Sequence, residues 1–484
     1  MGLSYQLSNG DTSMQRSYLR HALLVILFAV LAGILAACGG AARTPTAVPV
    51  ERTVVVERTV VVAQTVEVPH EVVVTPTPAP QAAGAKIVLR VGTGDSGEGL
   101  TPHLKIIEQF EKDNPDIQVQ LEPVGSGDYY TRILIQIAAG DPPDILQIGD
   151  DAVPNFVGKG AFVDLAPFIT SKENPLDTSI YLPGVLEPGQ WGGKQYLLPK
   201  DFSPLAVYYN KKIFDKYKIP YPKDGWTWDD FLKTAQALTK DTNGDGKTDV
   251  WGVQLPGPWT TGFEYWVAAA GGRLISADGS TFTGYLDSPE TTKAVQFYAD
   301  LYNKYKVAPP PADLNAFGGG NSEFDSGKAA LRLFGRWPQS GLKTNPNIDL
   351  GVVGPPAGVK RANVLFWGGF GISAISKNQP AAWRFLRYYV GAQGAEVWKN
   401  WALPTVKSVA EASGQASDPI EGVWIGELNH LAPRAYISTP YWGATADPAL
   451  RKVLEQVIID PATDVAAALK TATQDAQKAL AEQK

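Results

Sequence analysis

KIVLRVGTGDSGEG at residues 86–99 decides the fold class, because a β-rich run leads directly into a glycine-rich loop. An amphipathic segment follows, and its spacing predicts a helix that buries Leu104, Ile107 and Phe110 on one face. The next apolar stretch, IQVQL at 117–121, alternates apolar and polar residues as a half-buried strand does. Strand, helix and strand within about 35 residues form a βαβ unit, whose two strands are parallel. The sequence therefore predicts an α/β fold.

The same loop offers an alternative, because Gly92–Gly97 matches the GxGxxG pattern of a dinucleotide-binding turn. Glu122, at the end of the second predicted strand, stands where such a site carries its acidic residue. However, Asp95 within the loop and Glu98 just beyond it would repel a pyrophosphate, which needs uncharged backbone N–H groups. A lone motif of this kind is weak, and the dinucleotide interpretation is the less favoured one.

Composition places the 484-residue chain among globular proteins, with 44% hydrophobic and 19% charged residues. A chain of this length exceeds one small core, so two lobes are expected. The net charge of -6 argues against nucleic acid as the main partner, because neutralising phosphates requires clustered lysine and arginine. The single cysteine excludes an internal disulfide.

The N-terminal region has the features of an export signal. Basic residues precede an apolar run at 22–35, which is shorter than the roughly 18 residues of a membrane-spanning helix. LAACG at 35–39 resembles the lipobox of bacterial lipoproteins, and this resemblance implies that residues 1–37 are removed and that Cys38 is acylated. Two or more acyl chains hold a protein stably at a membrane. A retained apolar anchor with an incidental cysteine is the alternative. In both cases the remainder is expected outside the cytoplasm, at the outer face of the cell membrane.

Residues 38–85 are predicted to be a tether rather than part of a folded lobe. The hexad ERTVVV occurs at 51–56 and again at 57–62, degenerate copies follow, and proline- and threonine-containing pieces flank the repeat. Valine and threonine favour extended backbone, but this repeat offers no second surface against which to bury them. A semi-extended stalk that lifts the folded part off the membrane is therefore expected.

Six short motifs stand in order along the chain beyond residue 138: AAGDPPDI at 138–145, GGKQYLLP at 192–199, VYYNK at 207–211, WTWDDF at 226–231, GKAAL at 327–331 and WGGFG at 367–371. In this order they resemble bacterial extracellular solute-binding proteins of the sugar-binding, maltose-binding-protein-like family. The similarity extends from Lys86 to the C-terminal helix. No single motif is decisive, but their succession behind a lipobox is.

This resemblance implies a type II periplasmic-binding-protein fold, in which chain crossings join two α/β lobes and a ligand cleft lies between them. Carried over, residues 86–203 plus 371–404 would form the N-terminal lobe, and residues 204–370 plus 405–484 the C-terminal lobe. Bending at the crossings would close the lobes on a ligand. The implied function is capture of a sugar, in the first instance an oligosaccharide, by a monomer that delivers it to the permease subunits of an ABC transporter. No cofactor is required for it.

A sugar ring presents apolar faces and hydroxyl edges, so its site needs aromatic platforms together with carboxylates or amides. Tryptophans bracketed by glycine or proline are poorly placed for a helix core and are predicted to face the cleft. These are Trp259, Trp337, Trp367 and Trp442. The resemblance adds weight to all of them except Trp367, since family members present stacking aromatics at the other three places. Packing within a loop is the alternative for each. The tryptophans predicted to be helix core are Trp383, Trp398 and Trp401.

Polar candidates follow strands or lie on the expected crossings. Asp150 and Asp151 come directly after the predicted strand at 145–148, where an α/β sheet opens onto a crevice. Asp201 lies on the first crossing, between the lobes. The remaining candidates are Asp95 in the first loop, Glu264 after Trp259, and Arg336 beside Trp337. A planar guanidinium can bridge hydroxyl groups, whereas a solvated loop or a helix cap is the alternative for each carboxylate.

DTNGDGKTD at 241–249 matches the front of a calcium-binding loop. The ligand positions are Asp241, Asn243, Asp245, the carbonyl of Lys247, and Asp249. Position 12 of the pattern requires a bidentate glutamate but is Gly252, so a complete EF-hand is excluded. A structural calcium completed from elsewhere and an ordinary polar turn before a strand at 250–253 are equally favoured.

The sequence predicts a binding protein rather than an enzyme. It contains no HExxH, GxSxG or P-loop pattern, and a Cys–His pair cannot form if Cys38 carries lipid. Two alternatives stay open. The first is a secreted glycoside hydrolase, which needs only two carboxylates and an aromatic cleft. The second is a binding protein for glycerol phosphate or a polyamine, although these require more cleft cations or more clustered acids than the sequence places.

Overall fold

The computed structural model describes residues 86–125, 127–310 and 323–483. The predicted signal segment, Cys38 and the tether through residue 85 lie outside the described residues. In the part that is described, no helix has both the length and the apolar character needed to cross a bilayer.

Strands and helices alternate along most of the described chain. The strands are β1 (Ile87–Thr93), β2 (Ile117–Pro123), β3 (Ile145–Gly149), β4 (Gln190–Trp191), β5 (Lys194–Gln195), β6 (Leu197–Pro204), β7 (Ala206–Asn210), β8 (Trp251–Gln254), β9 (Ala329–Phe334), β10 (Leu350–Val353) and β11 (Leu365–Ile372). The helices are α1 (Leu100–Asp113), α2 (Tyr129–Ala138), α3 (Val153–Gly158), α4 (Ala166–Ile169), α5 (Lys211–Tyr217), α6 (Trp228–Leu238), α7 (Thr260–Ala269), α8 (Pro289–Asn303), α9 (Gln339–Thr344), α10 (Gln379–Val390), α11 (Ala392–Trp398), α12 (Lys407–Ala412), α13 (Glu421–Gly426), α14 (Ala435–Ser438), α15 (Ala446–Ile459) and α16 (Val465–Ala481).

The described chain has two main sheets, one in each lobe, and a two-stranded sheet of β4 and β5. The first has the strand order β2-β1-β3-β11-β6, with β1 parallel to both β2 and β3. Ile87 pairs with Ile117 in this sheet, which confirms the predicted βαβ unit. The second has the order β10-β7-β9-β8, with β8 parallel to β9 and the other pairs antiparallel. The α/β fold class predicted from the first strands is therefore confirmed.

The chain leaves the first sheet at Leu205, the residue between β6 and β7, and returns to it with β11. The return begins at Leu365, which pairs with Pro204, whereas the predicted N-terminal lobe resumes only at residue 371. The difference arises because the WGGFG motif and the two residues before it form ladder pairs with β6. Residues 365–370, assigned to the C-terminal lobe from sequence, are therefore strand residues of the first sheet.

Helix α1 buries a face different from the predicted one. Ile107 and Phe110 are buried as expected, but Leu104 is 56% exposed and His103 takes its place in the core. The prediction for Leu104 is wrong. Apolar residues at helical spacing predict that a helix forms, but they define its buried face only to within one residue. A buried histidine is tolerated here since both of its ring nitrogens have hydrogen-bond partners, as described below.

Candidate ligand-binding cleft

A cavity of about 640 Å³ lies where the two lobes meet, at the crossing strands β6 and β11. The first lobe contributes the loop after β1 and the end of β3, and the second contributes the turn after β9. The segment after α11 closes one side. Predicted site residues at its lining are Asp95, Asp150, Asp201, Arg336, Trp337 and Trp367. The structure thus brings six of the predicted residues, from distant parts of the sequence, to one cleft.

Two indole rings in this cleft are open to solvent. Trp337 is 46% exposed and is held edge-on by Phe334 and Phe366, with ring centroids 4.9 and 5.5 Å away. Trp401 is 36% exposed, and Nζ of Lys105 lies 4.9 Å from its ring centroid. Trp401 was expected in the core, but α11 ends at Trp398, so Trp401 follows the helix and faces the cleft. Exposed aromatic faces in a concave site suit the apolar face of a ring-shaped ligand.

Three other tryptophans at or near the cleft are buried. Trp367 and Trp398 line the cavity but are each about 4% exposed, and Nε1 of Trp367 donates to the Val185 carbonyl over 2.8 Å. Trp259 is not at the cavity lining. Its ring stacks on that of Phe366, with the centroids 4.9 Å apart, and so supports a ring that does line the cavity. The prediction that Trp398 lies in the core is confirmed, and the same residue also forms part of the cleft wall.

Asp150 forms part of the cleft wall from a buried position. The side chain is 5% exposed, and its Oδ1 accepts a hydrogen bond of 3.0 Å from the backbone N–H of Trp367. Its Oδ2 has no hydrogen-bond partner among the described residues. Burial raises the pKa of Asp150 to about 8, although Arg434 opposes the shift. A buried polar oxygen without a partner is costly, and for the same reason burial favours the neutral acid at this position.

Lys200 is a cleft residue that sequence reasoning missed. Its side chain is 5% exposed, and Nζ lies 2.9 Å from Oδ2 of Asp95 and 3.2 Å from Oδ2 of Asp201. Nζ also lies 4.8 Å from the ring centroid of Trp398. Burial alone would lower the pKa of Lys200, but Asp201 and Asp95 raise it overall, so the ammonium stays charged. A charged pair inside an otherwise apolar strand is the signal that could have identified it.

His103 connects this acidic cluster to the core of the first lobe. It is fully buried, with Nε2 2.8 Å from Oδ2 of Asp95 and Nδ1 2.7 Å from the hydroxyl of Tyr389. Burial lowers the pKa of His103, so the ring is neutral at pH 7. Because the Asp95 carboxylate can only accept, Nε2 carries the proton and Nδ1 accepts from Tyr389. Burial alone would raise the pKa of Asp95, but Lys200 and His103 hold it far below its usual value.

Arg336 forms part of the cleft wall, where its guanidinium is already engaged. Nε donates to Oε2 of Glu421 over 2.8 Å, and one terminal nitrogen donates to the Trp401 carbonyl over 3.3 Å. Its backbone N–H donates to Oγ of Ser203 on β6 over 2.7 Å. These contacts tie the second lobe to the crossing strand and to the segment that carries Trp401. Arg336 therefore positions the wall, in addition to presenting an edge to the cavity.

The structure does not bring the remaining candidates to the cavity lining. Glu264 is buried beneath α14, where Oε2 accepts from the Ala435 N–H over 2.8 Å and Oε1 lies 3.4 Å from Arg434. Burial raises its pKa. Trp442 is 4% exposed and packs near Phe282, and Asp151 is exposed beside Asp150 without lining the cavity. Sequence placed Asp151 at a strand end, Trp442 in a loop and Glu264 after Trp259, and tertiary packing turned the last two inward.

The predicted calcium loop is exposed, and its acids bind the loop's own backbone. Asp241 accepts from the N–H groups of Gly244 and Gly246 over 2.7 and 2.8 Å, and Asp249 accepts from Thr242 over 2.7 Å. Within the described ranges, no group of three or more histidine, cysteine or acidic side chains is arranged to hold a metal ion. This geometry is that of a polar turn, and calcium binding here stays a prediction.

Two α/β lobes, chain crossings between them and an aromatic, acid-lined cleft at the crossings define a two-lobed ligand-binding protein of the periplasmic-binding-protein fold. Residues 94–396 match the family of bacterial extracellular solute-binding proteins, and the chain belongs to that family. The maltotriose-binding protein of Pyrococcus abyssi is 25% identical over 379 residues, which cover 75% of this chain and 76% of that protein. The diacetylchitobiose binding protein DasA of Streptomyces coelicolor is 26% identical, over 62% of this chain and 70% of that protein.

Solved structures agree with the family and the fold. An ABC substrate-binding protein from Listeria monocytogenes, in complex with cycloalternan, superposes with a TM-score of 0.72 at 25% identity, over 82% of this chain and 99% of that chain. The maltose/maltodextrin-binding domain MalE of Bdellovibrio bacteriovorus, bound to maltotriose, gives a TM-score of 0.67 at 21% identity, over 82% and 99% of the two chains. The predicted type II two-lobed fold is confirmed.

Proposed function

We propose that this chain captures a sugar outside the cytoplasm and delivers it, chemically unaltered, to the permease subunits of an ABC importer. The observation that carries the proposal is the presence of two exposed indoles, Trp337 and Trp401, beside the partly exposed carboxylates of Asp95 and Asp201 in one cleft between lobes. Indole faces match the C–H faces of a sugar ring, and a carboxyl oxygen matches its hydroxyl rim. Relatives named for maltotriose and diacetylchitobiose support an oligosaccharide.

The charges of the cleft favour a ligand without a phosphate group. Lys200 and Arg336 are the cations among the described lining residues, and carboxylates already engage both. A phosphate ligand would compete with Asp95 and Asp201 for Lys200 and with the buried Glu421 for Arg336, and each carboxylate that it displaced would lose its partner. The ammonium of Lys200 likewise neutralises part of the acidity that a polyamine would need. A neutral, hydroxyl-rich ligand needs no such displacement.

The family supports binding rather than hydrolysis, since the relatives named above are binding proteins. A glycoside hydrolase needs a protonated acid and an ionised carboxylate on opposite sides of the scissile bond. Asp150, with its pKa raised by burial to about 8, has the protonation state of a general acid at pH 7. The other carboxylates of the lining, Asp95 and Asp201, share the ammonium of Lys200 and are already engaged by it. We therefore propose that no bond of the sugar is broken in the cleft.

Export and anchoring complete the proposal. The signal-like residues 1–37 would be removed, Cys38 would carry lipid, and the Val- and Thr-rich tether would hold a monomeric binding protein at the outer face of the membrane. Mass spectrometry of the mature N-terminus tests this part directly. A mass that corresponds to acylated Cys38 supports it, and an intact N-terminus with unmodified Cys38 contradicts it.

A thermal-shift screen of neutral oligosaccharides, phosphorylated glycerols and polyamines tests the ligand class. A ligand at one hundred times its Kd adds about 2.7 kcal/mol to the free energy of unfolding, which is readily measured as a higher Tm. We expect a shift with at least one neutral oligosaccharide and none with the phosphorylated or cationic compounds. A shift confined to a phosphorylated compound would contradict the proposal, as would release of shortened sugar during the incubation.

A further inference from the structure

Asn363 lies at the point where two crossings between the lobes meet. It is fully buried and comes two residues before the first pair of β11, in the segment that brings the chain back from the second sheet. Its partner across the gap is Leu205, the residue between β6 and β7. The two residues are 158 positions apart in sequence. They nevertheless form the contact at which both crossings leave the first sheet.

The Asn363 amide acts on Leu205 as a strand neighbour would. Oδ1 accepts from the Leu205 N–H over 3.0 Å, and Nδ2 donates to the Leu205 carbonyl over 2.8 Å. A residue in a sheet exchanges this pair of bonds with the backbone of its partner, whereas here a side chain supplies both. Because the β6–β11 ladder starts at the pair Pro204–Leu365, the amide continues that ladder beyond its last backbone pair. The buried polar groups of Leu205 thus keep their partners where the strands diverge.

The second hydrogen of the Asn363 amide extends this connection into the second lobe. Nδ2 also donates over 2.8 Å to Oε2 of Glu427, which is 1% exposed. Oε1 of Glu427 accepts from Arg361 over 2.6 Å, and Arg361 forms two bonds with Asp224 of 2.8 and 2.7 Å. Backbone bonds of 2.8 Å from Asn363 to His430 and from Ala432 to Asn363 bind the segment after Glu427 to the same place. One side chain therefore joins both crossings and a buried ion pair.

We propose that Asn363 is a positioning residue for lobe closure, which couples the two crossings so that they bend as one joint. This inference rests on the proposed function, since closure on a ligand is what the joint serves. Hinges in two-lobed proteins are a few residues at element ends that absorb backbone rotation. Two crossings that bend independently would let the lobes twist as well as close. With Leu205 and the β11 segment fixed to each other, closing is the motion that preserves every hydrogen bond of the amide.

The test measures the distance between the lobes in the full chain, without ligand. Spin labels are placed at I135C on α2 and I459C on α15, two exposed positions in the first and second lobe, in a chain that also carries C38S so that no other thiol is present. We compare N363L with the matched control N210L. Asn210 is equally buried, and its amide also bridges separate segments with bonds of 3.0 to 3.2 Å, but all within the second lobe.

We expect both variants to lower the Tm, and only N363L to broaden the distribution of distances between the labels. A distribution for N363L as narrow as that of N210L would overturn the proposal. If N363L does not fold, N363D is measured alone and together with E427Q. N363D loses the N–H donors to the Leu205 carbonyl and to Glu427, and it places a charge beside Glu427. E427Q returns a donor to the contact between residues 363 and 427. N363D should broaden the distribution, and the double variant should stay broad, because the Leu205 carbonyl still lacks its donor. Narrowing in the double variant would trace the effect to the charge beside Glu427 and contradict the proposal.

Sugar affinity gives a second readout that separates this inference from the proposed function. Using whichever of maltotriose and diacetylchitobiose gives the larger thermal shift, we expect N363L to bind about tenfold more weakly, although it lies outside the cleft lining. Equal affinity of N363L and N210L would count against the role of Asn363 in closure. If neither sugar binds the unaltered chain, the proposed ligand class is affected, whereas the label distances still decide the role of Asn363.

Discussion

Nζ of Lys200 lies 2.9 Å from Oδ2 of Asp95, which links the crossing strand β6 to the loop after β1 across 105 residues of sequence. The pair fixes the acidic rim of the cleft before a ligand arrives. His103 and Tyr389 extend the connection into the core of the first lobe. A site whose carboxylates are already held in place loses less conformational entropy on binding, so affinity is gained without further contacts.

The strength of this ion pair can be measured with a double-mutant cycle of D95N and K200M, using urea unfolding. Since Lys200 is buried but Asp95 is about 30% exposed, we expect a coupling free energy of about 2 kcal/mol, between that of surface pairs and that of fully buried ones. Glu108 and Lys112, an exposed pair on α1 at 2.7 Å, provide the control. Their cycle should give a much smaller coupling free energy, because water screens an exposed pair. Equal coupling for both cycles would show that burial adds nothing to the Lys200 contact.

Replacing the exposed indoles should weaken sugar binding without affecting the fold. We expect W401A and W337A each to raise the Kd by about tenfold, because each removes a stacking face from the cleft. The measurement is calorimetric titration with the best sugar of the thermal-shift screen. W442F is the control, since Trp442 is buried away from the cavity lining. A loss of affinity in W442F equal to that in W401A would place the ligand elsewhere.

The pKa of Asp150 makes the stability of the chain pH-dependent. Burial raises the folded-state pKa to about 8, whereas an unfolded aspartate has a pKa of about 3.9. Between these values the native protein holds a proton that the unfolded chain releases, so stability falls as the pH rises from about 4 to about 8. D150N removes the contribution of Asp150, whereas Asp151, whose pKa is also raised, keeps its own. We expect its Tm to rise relative to that of the unaltered chain across this window, and the gap to stay constant above it.

The result is checked by recording Tm at intervals of pH for both proteins. A control variant, D241N, changes an exposed aspartate on the second lobe, whose pKa the loop's N–H groups lower. Asp241 stabilises the fold above its unfolded pKa, and this stabilisation is lost as the pH falls towards the lowered folded pKa. The Tm of D241N relative to that of the unaltered chain should therefore rise as the pH falls below about 4, opposite to the trend expected for D150N. A gap between D150N and the unaltered chain that does not vary from pH 4 to pH 9 would contradict the burial of Asp150.

The α/β class could be predicted because it depends on local patterns that survive in sequence. The alternation in IQVQL and the pairing of Ile87 with Ile117 need only a strand, a helix and a strand of suitable length. The six cleft residues named from sequence were found for a related reason. Asp150 follows a strand end and Trp337 stands between glycine and proline, and both signals are local.

Lys200 and Trp401 were missed because what places them is not local. Lys200 stays charged within a buried strand because of Asp201, its neighbour in sequence, and of Asp95, 105 residues earlier, which the sequence alone does not place beside it. Trp401 fits the apolar spacing of the helix before it, and only the end of that helix at Trp398 turns it to the cleft. Trp442 shows the converse. It precedes Gly443, as a residue of an exposed loop would, but its side chain is buried in the core. Spacing predicts an element, whereas the environment of its last residues depends on tertiary packing.

The central claim is that one neutral sugar sits between the lobes and leaves unaltered. It is tested most directly by titrating the protein with the best sugar of the screen, recovering the bound sugar, and measuring its mass, for the unaltered chain and for W337A with W401A. We predict one sugar per chain, recovered at its original mass, and binding that is lost in the double variant. A shortened sugar, or saturable binding that the double variant retains, would contradict the account.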